Sequence, residues 1–217
     1  MIPLLRGEPP AVLAEKAAAW TAKYLERRAA NPALRPPKEQ YRHPEVLREL
    51  RRMSHRKCFY CERVLADSEQ EVDHHLEVAE RPDLAFSWHN LYLSCEVCNQ
   101  KLPNTRLPVA ACVDPCDPTI RPGDHLAFVD ERVEPRAGSR RGRDTIEKYD
   151  LARGELDLAR ARVLREFDRA LTVILIQRAA AQRATLTDEE VALLRAWADP
   201  VRPFSKMIAD RLHAAGL

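Results

Sequence analysis

Cys58-Phe59-Tyr60-Cys61, Glu71-Val72-Asp73-His74-His75, His89-Asn90-Leu91 and Cys95-Glu96-Val97-Cys98-Asn99-Gln100-Lys101 follow one another within 44 residues, Cys58 to Lys101. Two CxxC knuckles enclose a set of hard donors. Four thiolates suit a tetrahedral Zn²⁺ with no open position, so Cys58, Cys61, Cys95 and Cys98 are expected to form a structural site that fastens the chain and does no chemistry. Asp, His and Asn between the knuckles are oxygen ligands and proton acceptors, suited to a second, catalytic divalent cation such as Mg²⁺. The knuckles lie 33 residues apart, Glu62 to Ser94, where a simple zinc ribbon leaves about 15–20. The insertion therefore holds more than one hairpin.

At these residues the sequence resembles the HNH endonuclease family: CxxC, a hydrophobic-Asp-His step (Val72-Asp73-His74), Asn90-Leu91, then CxxC followed by Asn99 and Lys101. A weaker likeness runs on through Leu107-Pro108, Val113 to Pro118 and Asp144-Thr145-Ile146, and is similar to the small HNH nuclease subunit of Septu-type anti-phage systems, also found with some retrons. The resemblance implies a ββα-metal unit with His74 as general base and Asp73 as first metal ligand. It further implies Asn90 as the residue closing the ββα loop, Asn99 as last metal ligand, and Lys101 as a phosphate contact. Asn99 departs from the His common at that position, which leaves Gln100, Asn104 and His89 as substitutes. Leu76-Glu77 also departs from the family pattern. Asp73→Ala is expected to abolish activity while leaving the melt nearly intact. An ATPase partner subunit is implied in the same way.

Doubling of the histidine leaves an ambiguity, because neighbours on a strand point to opposite faces. His74 is favoured as the base, and the plainer reading of His75 is a packed or solvent-facing side chain. Cys112 and Cys116 read as small, partly buried thiols.

Working outward, 217 residues suit one or two domains, and 6 Gly against 16 Pro, with abundant Ala, Leu, Arg and Glu, points to an α+β protein that is mostly helical. Three segments are expected: helical 1–56, an HNH core at 57–118, and a small hairpin with helices at 119–217, packed as one unit. Helices are expected at Ala11 to Ala30, from His43-Pro44-Glu45 to about Ser54, and in a short turn from Cys95. A hairpin is expected within Val64 to Val78, turning at Ala66-Asp67-Ser68. A second spans Leu126 to Val133. From Asp144, with Asp144 and Glu147 at capping-box spacing, the chain is expected to be helical to its end. Breaks fall near Ala184 and at Pro200 and Pro203, and Thr187 to Glu190 forms a capping box. Phe59 and Tyr60 are read as a cover for the zinc site.

A net charge of +2 says little. Its distribution says more: Arg42 to Lys57 is basic, and Arg136 to Arg143 holds four Arg and no acid. Arg48 and Arg52 are expected to reach DNA phosphates, the plainer alternative being a solvated helix face. No apolar run approaches the roughly 18–20 residues of a membrane span. Met1 to Leu5 is too short for a signal peptide. The cytoplasm, where thiols stay reduced, is the expected compartment. Two functions remain from the residues alone: a metal-dependent endonuclease acting on DNA, or a non-catalytic zinc module that binds nucleic acid or protein.

Overall fold

A computed structural model describes residues 1–217. Helix α1 (Ala11–Ala30) begins behind Pro10 and ends at Asn31, whose extended backbone leads into Pro32. Its neighbour across the connector, α2 (Lys38–Tyr41), is a single turn. Helix α3 (Pro44–Ser54) starts with Pro at a position where no hydrogen-bonded N–H is needed, capped by His43 Nδ1 on the Glu45 N–H. Its apolar face, Val46, Leu50 and Met53, is buried.

Strand β1 (Glu71–His74) pairs antiparallel with β2 (Leu91–Ser94), in the register Val72 to Leu93 and Asp73 to Tyr92. This corrects the expected local hairpin. Residues 64–78 do not fold back on themselves, because the strand partner arrives after a 16-residue excursion, 75–90. Asp67–Glu69 is a 3₁₀ turn instead. Helix α4 (Glu96–Asn99) begins at Cys95. Next come α5 (Pro122–His125) and the hairpin of β3 (Leu126–Val129) with β4 (Arg132–Pro135), in the expected place.

Helix α6 (Arg140–Lys148) begins five residues earlier than expected, because the cap is Ser139 Oγ on the Gly142 N–H rather than Asp144. Much of the Arg-rich stretch is therefore ordered helix. Gly142 makes this possible: a Cβ there would lie 2.1 Å from the His125 carbonyl oxygen, so only glycine allows α6 this close. The helix stops at Lys148, so the chain is not continuously helical from Asp144. After it, α7 (Gly154–Ala180) runs to Ala180 rather than Ala184. Leu156, Leu164 and Phe167 are buried along its first half, while Val173 and Ile176 on its second half are exposed. Helix α8 (Asp188–Arg195) carries the expected capping box at Thr187 and Glu190, and α9 (Ser205–Ala214) follows the expected break at Pro200 and Pro203.

One cluster of buried side chains draws on every part of the chain, from Met1 and Leu13 through Leu91 and Phe167 to Leu212. Polar bonds fasten the first knuckle to both ends of it. The buried Glu62 carboxylate accepts from the Met1 ammonium (2.5 Å) and from Ser205 Oγ (3.0 Å), and lies 3.5 Å from Lys57 Nζ. No helix is long and apolar enough to cross a membrane.

Candidate active site and metal centre

The chain makes two tight turns at the knuckles and brings four sulfurs together. In the first, Cys58 N–H donates to the Arg63 carbonyl and Glu62 N–H to the Cys58 carbonyl, with Glu62 at φ +63. The Phe59 N–H reaches the Leu93 carbonyl and so lays this turn against β2. The second knuckle caps α4. The ligand atoms of Cys58, Cys61, Cys95 and Cys98 all lie within 4.8 Å of one another, all four residues are buried, and Cys61 and Cys95 sulfurs are 3.9 Å apart. A tetrahedron with metal–sulfur bonds of about 2.3 Å has edges of about 3.8 Å, so the group has the dimensions of a metal site. The Arg153 guanidinium lies 3.8 Å from both Cys95 and Cys98 sulfurs.

Beside β1 lies a cavity of about 390 Å³ lined by Asp73, His74, Glu77, Asn99, Lys101, Tyr41 and Arg35 among others. His74 Nε2 is 2.9 Å from the Ala85 carbonyl oxygen. A carbonyl can only accept, so Nε2 carries the hydrogen and Nδ1 keeps its lone pair. The edge of Tyr41 meets the ring at 4.7 Å and fixes its plane. Burial pushes His74 below its ordinary 6.5, against the raising effects of the Ala85 bond and the Asp73 charge. The neutral imidazole is thus the resting form near pH 7.

Asn90 builds the frame for that bond. Its Oδ1 accepts from Leu76 N–H (2.7 Å), and its Nδ2 donates to the carbonyls of Leu76 (3.0 Å) and Leu84 (3.2 Å). The side chain thus closes the excursion and sets Leu84 and, next to it, the Ala85 carbonyl. Asn90→Ala should cost ~2–4 kcal/mol, because leaving the partly buried Leu76 N–H unpaired costs about 1–3 kcal/mol and two donated bonds go with it. Denaturant unfolding measures this, and a loss below about 1 kcal/mol would contradict the role.

Pleat alternation alone groups Asp73 with His75, since both lie near the Tyr60 hydroxyl, at 2.6 and 3.5 Å. His75 stacks on Tyr92 at 4.5 Å, approaches Asp114 at 3.9 Å and is pushed down to about 4 by burial. His74 nonetheless lines the same cavity as Asp73, and so does Lys101, whose Nζ is 2.6 and 2.5 Å from the two Asp73 oxygens and 2.8 Å from the His74 backbone carbonyl.

That contact corrects two expectations. Lys101, expected as a phosphate contact, is instead paired with Asp73, and its side chain is 4% exposed. Asp73→Ala would not leave the melt intact, since stranding a buried ammonium costs about 3–5 kcal/mol. Arg48 and Arg52 lie on the exposed side of α3, share Glu49 as partner, at 3.7 and 2.8 Å, and line no part of the cavity. The rest of the basic stretch is also engaged, Arg42 with Glu71, Arg51 with Gln70, Arg56 with Asp67. Arg35 is the exposed cation at the cavity, and nothing near it in sequence marks it.

Among candidates for the last ligand, Asn99 lines the cavity with a side chain that makes no hydrogen bond. Asn104 is committed elsewhere, to Glu80, Val109 and Lys148, and His89 lines a different, larger cavity beside Arg6 and Pro115. Gln100 is exposed and turns to Glu96. Tyr60, read as a zinc cover, stacks on Tyr149 at 3.9 Å and places its hydroxyl under Asp73. Cys112 and Cys116 take no part in either site and are pushed up to about 11 and 12 by burial.

A family model described as HNH endonuclease matches residues 58–105. Two relatives are both described as Septu protein PtuB. That of Bacillus mycoides (strain KBAB4) is 28% identical over 164 residues, covering 61% of this chain and 55% of its own length. That of Bacillus thuringiensis is 32% identical over 103 residues, covering 46% of this chain and 37% of its own. The matches thus span about half of the curated relatives' length or less.

Proposed function

We propose, from the premise that residues 58–105 carry an HNH endonuclease domain, that the protein is a metal-dependent endonuclease hydrolysing DNA phosphodiester bonds. We further propose that it is the nuclease component of a Septu-type anti-phage system working with an ATPase subunit. The observation that carries the reading is His74, with Nε2 tied to Ala85 and Nδ1 left free, lining the same cavity as the Asp73 carboxylate.

The roles follow from the chemistry of the step. A phosphodiester is an anion, and its attack needs a deprotonated water, neutralised phosphate charge and a stabilised leaving oxygen. His74 Nδ1 takes the proton from water, and the Ala85 carbonyl steadies the imidazolium that results. A divalent cation supplies Lewis-acid help to phosphate and leaving group when bound. Asp73 and Asn99, a carboxylate and an amide oxygen, are the donors for it, and their hardness fits a Mg²⁺-like ion with phosphate and water completing its shell. Arg35 at the cavity is an exposed cation placed to meet a flanking phosphate.

The four thiolates we assign to structural Zn²⁺. Four thiolates and one Zn²⁺ leave two negative charges in a buried place, and Arg153 offsets them. Arg153→Gln should lower zinc affinity by about 10–100-fold, the usual cost of losing a partner that supports metal ligands. Competition with a chromogenic chelator reads this, and unchanged affinity would remove Arg153 from the site.

The reading is tested with supercoiled plasmid, zinc-loaded protein and Mg²⁺ or Mn²⁺, with the ATPase partner added. Cleavage that is equal in wild type and Asp73→Asn would end it. One observation favours a non-catalytic zinc module instead: Lys101 already occupies both Asp73 oxygens. Metal analysis separates the two, because the module binds one zinc and nothing more.

A further inference from the structure

Three oxygens converge on one positive centre in the cavity. Lys101 Nζ sits 2.5–2.8 Å from Asp73 Oδ1, Asp73 Oδ2 and the His74 carbonyl, and makes no other polar contact. Oxygens gathered in this way are what a hard cation requires, at about 2.0–2.1 Å for Mg²⁺. An ion bound to both Asp73 oxygens would take the place of the ammonium. An ion bound to one of them would lie beside a like charge.

We propose that Lys101 is a tethered competitor for the divalent cation. Its ammonium fills the seat that these three oxygens offer a cation, and metal loads only as Lys101 leaves Asp73 for the rest of the cavity. This rests on the reading of Asp73 as a metal ligand. A landing place exists: Glu77 lines the same cavity, with its carboxylate held by the Asn104 N–H at 2.8 Å and 3.9 Å from Lys148. A backbone phosphate entering the cavity is a second partner for the freed ammonium. Nucleic acid and divalent cation should therefore strengthen one another's binding through Lys101, and each should bind weakly alone. The device would hold the nuclease metal-poor, and so idle, until substrate arrives.

The test is Mn²⁺ binding by electron paramagnetic resonance on zinc-loaded protein, with no cleavage readout needed. Lys101→Met should bind Mn²⁺ at least tenfold more tightly than wild type, and Lys101→Arg should stay near wild type. A short oligonucleotide with phosphorothioate linkages should tighten Mn²⁺ binding to wild type and have a smaller effect on Lys101→Met. Zinc content and melting temperature check that each variant is folded, and Lys101→Gln carries the comparison if Lys101→Met is not. Equal or weaker Mn²⁺ binding by the folded neutral variant overturns the competitor while leaving Asp73 as a ligand. Absence of any Mn²⁺ site in wild type and neutral variant alike overturns the ligand reading and the competitor with it.

Discussion

His74→Ala is expected to fold and retain its zinc while cutting DNA about 10²–10⁴-fold more slowly, the range that a positioned general base contributes. Folding should survive because His74 is only half-buried and its polar bond is to the Ala85 carbonyl, which water entering the vacated cavity can serve. The loss should fall on turnover: His74 is the one imidazole lining the cavity, Asp73 is bonded to Lys101, Asn99 is an amide, and the Glu77 carboxylate is held by the Asn104 N–H. His75→Ala is the companion measurement. His75 stacks on Tyr92 and faces Asp114, outside the cavity, so its loss should reduce stability and spare most of the rate. If His75→Ala abolishes cleavage and His74→Ala does not, the base has been assigned to the wrong face of β1.

Cys95→Ser should produce the largest loss of stability. Structural Zn²⁺ in small domains is worth roughly 10–16 kcal/mol of apparent binding energy, and that energy is folding energy. A three-thiolate site keeps only part of it. Cys95 also joins the end of β2 at Ser94 to the start of α4 at Glu96, so its release loosens the turn that carries Asn99 and Lys101 into the cavity. With each kcal/mol moving the midpoint by about 2–4 °C in a chain of this size, a fall of ~10 °C or more is expected in calorimetry, with cleavage falling alongside. Cys112→Ser, at a buried thiol outside the cluster, should change the midpoint far less. A Cys95→Ser melt that matches wild type would mean that no metal holds the fold.

Local signals carried much of the architecture. Helix α1 was legible because Asn31-Pro32 stops it, α8 because Thr187 and Glu190 cap each other, and α3 because Pro44 opens it above a periodic apolar face. Those are interactions within a few residues, so spacing specifies them. Misreadings arose where two local patterns competed. Ser139 displaced Asp144 as a cap, which only the close approach allowed by Gly142 made favourable. The supposed hairpin at 64–78 failed because β1 buries Val72 and Asp73 and needs a partner that is buried too, which the all-buried β2 provides.

By itself, the sequence pointed to the four-sulfur cluster through two CxxC knuckles, whose thiols are soft ligands set two residues apart, and its resemblance to HNH endonucleases implied the Asp-His step and the Asn that closes the excursion. Tertiary structure alone decided what surrounds them. It put Lys101 on Asp73 across 28 residues and sent Asn104 to Lys148. It also brought Arg35 from the proline-rich connector to the cavity and Arg153 to the sulfurs. A charge has no preferred partner along the chain. It takes the opposite charge that folding buries beside it, and which one that is depends on how helices and strands pack around a common core.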